Sequence, residues 1–301
     1  MGGWQRALSA AGITEPGLRA DYERQRTRVA AYKREVPLAL GLLMPPSVVP
    51  HLIAATAFIH HTDNLLDSGP RESRKAAYVQ WEQDVTDSLT RAHSDDPELR
   101  PLLNTVAAHP VLRECVLDFL AGAAADLDFA GFATEADYQH YLDAYSLPAF
   151  MVVATLLGPD GDQQAYRAAC RLFIDASQRL DFVSDLAEDL AQGRLTIPAQ
   201  RLERHGVTRG DLEQARDLPA VRELITGLLD EVDRTLAESR AVVGLVPPAH
   251  RPMVRCMIGL DELTGAAARR DIPALLRRSA GPGTLGAVRL LGREYLRARR
   301  S

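Results

Sequence analysis

Cysteine is scarce in this chain of 301 residues: Cys115, Cys170 and Cys256 stand alone in apolar stretches, with no CxxC and no Cys/His spacing. That excludes a disulfide framework and a thiolate zinc site, and it predicts three buried free thiols in a reducing compartment. Long hydrophobic runs are lacking too, the longest falling well short of the roughly 20 residues that a membrane span needs. No charged-then-apolar leader opens the sequence, Met1-Gly2 has no Ser or Thr at position 6, and the last residues hold no CaaX cysteine. These absences predict a cytoplasmic protein without a stable membrane anchor. Positive charge is not in excess: the net charge is −5 and the pI about 5.9, which excludes a general nucleic-acid surface. The Arg-rich stretch LLGREYLRARRS reads as a solvated helix end whose cations suit the C-terminal dipole.

Strand-like alternation is absent, and helical periodicity takes its place. With 46% hydrophobic residues the chain can bury a large core. The pattern predicts an all-α fold in a single domain over 1–301. Helices are expected at about 16–34, 46–67, 71–92, 111–130, 135–157, 162–192, 219–243, 247–267 and 283–299. Pro45-Pro46, Ser68-Gly69-Pro70, Gly158-Pro159-Asp160-Gly161, Pro247-Pro248 and Gly281-Pro282-Gly283 punctuate them. Pro148 implies a kink or break in the helix that contains it.

In LDFVSDLAEDLAQGR, Leu180 to Arg194, Asp181, Asp185 and Asp189 recur every four residues, with no Lys or Arg four residues on from any of them. On one helix face the three carboxylates would stack about 6 Å apart, an arrangement that repels itself. FIHHTDNLLDSGP repeats the spacing with Asp63 and Asp67 on another apolar helix. Two such ladders point to one inward-facing cavity that takes its cations from elsewhere. Carboxylate oxygens without His or Cys ligands suit Mg²⁺, which commonly bridges one or two carboxylates to substrate phosphates. Facing ladders are therefore expected to hold Mg²⁺ around a diphosphate and assist its departure.

These stretches resemble the squalene/phytoene synthase family over roughly Arg34 to Leu263. QRLDFVSDLAEDLAQGRLTIP, Gln178 to Pro198, is similar to the family's second Asp-rich signature, and AFIHHTDNLLD, Ala57 to Asp67, to its first. LLMPP at Leu42 to Pro46 and Ala125-Asp126-Leu127 are similar to further family segments. The resemblance implies the isoprenoid synthase fold, a helical bundle around a central cavity. It assigns Mg²⁺-diphosphate binding to Asp63, Asp67, Asp185 and Asp189, places Asp181 where the family usually has Asn, and puts Gln178 near the substrate.

Departures from the family cluster around the same cavity. Asp63-Asn64 replaces a common Asp-Asp pair, His60 stands where a diphosphate-binding Arg is usual, Arg34-Glu35-Val36 replaces a Ser-Lys/Arg-Ser stretch, and Ser184 replaces an Arg. YLDAYSLPAF keeps Tyr141 but has Tyr145, Ser146, Leu147 and Phe150 where small residues are usual. Bulk there is expected to shorten the prenyl channel. The expected activity is Mg²⁺-dependent transfer of a short allylic group, dimethylallyl, from its diphosphate to an electron-rich aromatic acceptor in secondary metabolism. In this the chain is similar to the carbazole prenyltransferases of actinomycetes within the family. Tyr145 and Phe150 would line the allylic cation, and His60, Tyr141 or released diphosphate would take the ring proton. The alternatives are head-to-head condensation of two prenyl diphosphates, a terpene cyclase, and a non-catalytic binding subunit.

Overall fold

The structure is a computed structural model that describes residues 2–67, 69–159 and 161–299, apart from the side chains of Ala125 and Asp128. Ser68 and Asp160, named above within two breaks, lie outside the described residues. In chain order the helices are α1 Gly3–Ala10, α2 Pro16–Tyr32, α3 Glu35–Leu43, α4 Val49–Asp67, α5 Arg71–Arg91, α6 Arg100–Ala108, α7 Leu112–Ala123, α8 Glu135–Tyr141, α9 Leu147–Ala154, α10 Gln163–Ser184, α11 Leu186–Ala191, α12 Ala199–Arg204, α13 Arg209–Glu213, α14 Pro219–Ser239, α15 Val242–Leu245, α16 Arg251–Arg270, α17 Ile272–Leu275 and α18 Thr284–Ala298. Among the described residues the only strand-like pairing is a single bridge between Gly131 and Leu195. All three cysteines are buried and unpaired.

Two walls define the interior. Helix α4 packs on α2, α5, α6 and α9, whereas α10 packs on α9, α14 and α16, so α9 is common to both. One apolar core gathers α4, α7, α9 and the first half of α10, around Ile53, Phe58, Phe119 and Phe173. A second gathers the end of α10 with α14, around Leu180, Val183, Ile225 and Leu228. Each fully buried side chain of this size contributes roughly 1.5–3 kcal/mol. That anchoring is what can hold self-repelling carboxylates in place.

Several boundaries differ from expectation, for local reasons. The helix expected at 162–192 ends at Ser184 and restarts at Leu186, with Asp185 at φ −103°, ψ 14° between them. The Ser184 carbonyl is taken by the Ala280 N–H at 3.1 Å, while the Glu188 N–H turns to Asp185 O at 2.9 Å. The second ladder is therefore bent: Asp181 is on α10, Asp185 at the joint and Asp189 on α11. The segment expected as one helix at 135–157 contains a π-turn, Leu142–Ser146, just ahead of Pro148. Pro148 has no N–H for the Ala144 carbonyl, and the helix breaks its regular pattern by widening immediately upstream. The freed carbonyl lies against α7 so closely that a Cβ on Gly122 would stand 1.7 Å from its oxygen. Helix 111–130 gives way at Ala124 to a 3₁₀ turn, Ala124–Asp128. Helices α1, α3, α6, α12, α13 and α17 lie outside the ranges expected from periodicity.

Candidate functional site

At 100° per residue, the buried Phe58, Thr62 and Leu66 take one side of α4, and His60, Asp63, Asn64 and Asp67 the other. Thr62 is pinned by the Trp81 indole N–H at 3.0 Å, and His61 packs on the same Trp81 ring at 4.4 Å, which gives His61 a structural role. On α10 the buried Ala176, Arg179, Leu180 and Val183 face the cores, while Ser177, Gln178 and Asp181 share the opposite side. Gln178 is half-buried there. Arg194, in the tail of the second signature, ties the walls together: it lies 3.3 Å from Asp67 and 3.7 Å from Asp126. Lys33, just past α2, acts electrostatically on both His60 and Asp181.

The shared α8–α9 segment supplies the aromatic lining. The Tyr145 hydroxyl donates to Asp63 Oδ1 at 2.9 Å, and the ring stands 6.0 Å from Phe119 and 5.2 Å from Tyr141. The Tyr141 hydroxyl donates to the buried Asp126 at 3.0 Å. Burial, reinforced by Asp126, pushes the Tyr141 phenol far above its ordinary value. Tyr141 is thus a hydrogen-bond donor that orients Asp126. Leu147 is buried, and Phe150 packs on Phe173 at 5.3 Å. Behind Phe150 remains an apolar void of about 10 Å³, bounded by Leu157, Tyr166, Cys170 and Met257 among others.

His60 stacks on Tyr32 at 3.8 Å with Asn64 Nδ2 3.1 Å from its Nε2. Burial first, then Arg28 and Lys33, hold its pKa below the ordinary range, so at neutral pH the ring keeps a lone pair. Burial pushes Asp63 up to about 6, with Asp67 and Asp126 adding to the shift and the Tyr145 hydroxyl opposing it. Asp189 is likewise raised to about 6 by burial and by Asp181, with Thr196 and Arg194 opposing. Asp181 is exposed on its helix face, yet the protein around it, then Asp185, lift it to about 6 while Lys33 pulls the other way.

A further acid escaped the sequence reading. Burial, with Asp181 adding to it and Ser177 opposing, raises Asp261 on α16 to about 6. Its Oδ2 is buried without a hydrogen-bond partner among the described residues. The signal was available: Asp261 falls in register with Val254, Ile258, Gly265 and Ala268, the buried stripe of α16. An acid within an apolar stripe is either paired or part of a site.

The donors suit a hard cation: every candidate ligand is a carboxylate oxygen, and Asp63, Asp181, Asp189 and Asp261 are all held in a state that added positive charge would relieve. Among the described residues no three His, Cys, Asp or Glu side chains converge on one point. Mg²⁺ tolerates this, since it takes one or two carboxylates and fills its shell with water and phosphate oxygens. Asp63 and Asp67 on one wall, and Asp185 and Asp189 on the other, would be the residues to hold it.

A sequence profile of the family described as squalene/phytoene synthase matches residues 29–282. The bifunctional protein CrtB/UppS of Streptomyces coelicolor is 29% identical over 300 residues, 94% of this chain and 52% of that protein, so the chain spans about half the length of this relative. The 15-cis-phytoene synthase of a Paracoccus species is 23% identical over 83% of each chain. Among solved structures, squalene synthase HpnC from Alicyclobacillus acidocaldarius superimposes with a TM-score of 0.77 at 25% identity, covering 87% of this chain and 98% of its own. The two walls, their shared aromatic helix and this agreement in sequence and shape identify an isoprenoid synthase fold. The chain belongs to the squalene/phytoene synthase family.

Proposed function

We propose that this chain transfers a short allylic group from its diphosphate to an electron-rich aromatic ring, with a carbazole as the acceptor to try first. One observation carries the reading: Tyr145 fills the wall beside Asp63 and bonds to it, with Leu147 buried next in line and Phe150 packed on Phe173. A long prenyl chain lying along α9 would meet these side chains. When bound, Mg²⁺ neutralises the diphosphate and makes it a better leaving group. The allylic C–O bond breaks with its electron pair leaving on diphosphate; the ring carbon attacks C1, and the ring proton departs. Tyr145, with Phe150 further along the same segment, would offer ring faces to the developing cation and exclude water. His60, neutral and beside Asn64, is the side chain with a lone pair for the proton.

The comparisons favour a second reading more than this one. The relatives bear the names of phytoene and squalene synthases, which supports head-to-head joining of two prenyl diphosphates. The short-donor part of the first reading rests on Tyr145, Leu147 and Phe150 of this chain, and its aromatic acceptor on the resemblance to carbazole prenyltransferases. Product analysis decides between them. Purified protein with Mg²⁺, dimethylallyl diphosphate and a hydroxylated carbazole should give a prenylated ring, and EDTA should stop turnover. A cyclopropyl or other joined prenyl product from geranylgeranyl or farnesyl diphosphate alone, with the carbazole untouched, overturns the proposal in favour of the head-to-head reading.

A further inference from the structure

We infer that α18, with the trough beside it, is a face that docks reversibly on an anionic lipid bilayer. Along α18 the residues Leu285, Val288, Arg289, Gly292, Leu296 and Arg299 share one side at 100° per residue, opposite Leu290 and Glu294, which are buried. Leu285, Val288 and Leu296 are 62%, 60% and 56% exposed, so the outward side has an apolar centre. The single acid of the helix, Glu294, is fully buried and binds Arg255, Arg293 and Arg297 at 2.7, 3.1 and 2.7 Å. No acid is left on the outward side to oppose Arg289 and Arg299.

The same character continues past the helix end. Arg299 borders a hollow of about 370 Å³ together with Arg6 and Arg26. Arg26 and Gly41 are shared with a second hollow of about 520 Å³ whose rim holds Arg34 and the exposed Leu38 and Leu42. Of the acids nearby, Glu23 is partly exposed but engaged by Arg26 at 3.1 Å, and Glu35 at the start of α3 is exposed. On a chain of net charge −5, this is a locally cationic, locally apolar surface.

Exposed leucines flanked by arginines suit a bilayer surface, where the apolar groups enter the acyl boundary and the guanidinium groups stay among phosphates. A second copy fits poorly: a symmetric dimer through this face would set arginine-rimmed, acid-poor surfaces against each other. The attachment proposed is to the surface, since no helix of the described residues is long and apolar enough to cross a membrane. It does not depend on which acceptor the cavity serves.

Co-sedimentation of the full chain with vesicles tests this. Binding is expected to phosphatidylcholine vesicles containing phosphatidylglycerol, to weaken with salt, and to be far lower on phosphatidylcholine alone. Leu285→Ser with Leu296→Ser, and separately Arg289→Glu with Arg299→Glu, should each cut binding by more than about tenfold, as one positive charge at an anionic surface is worth roughly fivefold. Unchanged circular dichroism and Mg²⁺-dependent diphosphate release would show that the variants fold. Absence of binding to anionic vesicles, equal binding to neutral ones, or a dimer in solution that the same substitutions dissolve would each overturn the inference.

Discussion

Tyr145 is where one residue does most to shape the cavity chemistry. Its hydroxyl donates to Asp63, and a carboxylate that accepts a hydrogen bond ionises more readily. Burial still leaves Asp63 near 6, so the fraction of charged Asp63 changes across the range from about pH 5 to 7. If metal binding needs the charged form, activity should fall on the acid side with a limb at or below that value, since bound Mg²⁺ favours the charged carboxylate. Tyr145→Phe removes the opposing hydrogen bond and should move the limb to higher pH while leaving the melting temperature within a few degrees. A pH–rate profile at fixed Mg²⁺ checks this; an unmoved limb would separate Asp63 from the rate. The cationic groups that the first signature lacks are partly made good by Lys33 and Arg194, neither adjacent in sequence to the acids they act on.

At the scale of elements, α9 sets how far a donor can extend. Phe150 separates the aromatic lining from the apolar void bounded by Leu157, Tyr166 and Cys170. Phe150→Ala should join the two and shift the preferred donor by one isoprene unit or more, at a stability cost of about 3–5 kcal/mol. Competition between dimethylallyl and geranyl diphosphates measures the shift, and an unchanged ratio would show that the donor does not run along α9. The long helices and both ladders were legible in the sequence because periodicity and repeated acids are local signals. The break at Asp185 was not: it depends on the Ala280 N–H, a group from almost a hundred positions away. The π-turn was hidden for a related reason, since Pro148 announces a lost hydrogen bond but not how the helix accommodates it. Asp261 carried a readable signal, in register with an apolar stripe, but no neighbouring acid to draw attention to it.

For the whole molecule, the cavity acids link stability to pH and to cation. Asp63, Asp181, Asp189 and Asp261 each ionise at higher pH when folded than when unfolded. Between about pH 4 and 6 the folded state therefore binds more protons, and the stability these groups contribute at low pH is lost as pH rises through their folded values. Glu135 and other carboxylates paired with arginine act in the opposite direction, so a difference between variants is the cleaner measure. Metal-free Asp261→Asn should be more stable than its parent by on the order of 2 kcal/mol at pH 7, with the advantage gone near pH 4. Thermal melts across that range, with and without Mg²⁺, test it. An equal gap at both ends of the range would mean that Asp261 carries no shifted proton.

The contact between Gly122 and the Ala144 carbonyl also constrains how this protein can diversify. With no space for even a methyl group at position 122, the backbone of the aromatic segment is fixed from the α7 side. Lineages that drift to new donors cannot do so by sliding that segment. The variation open to them lies in the side chains at 145, 147 and 150, so a library restricted to those three positions should hold most of the chain-length specificities this scaffold can reach.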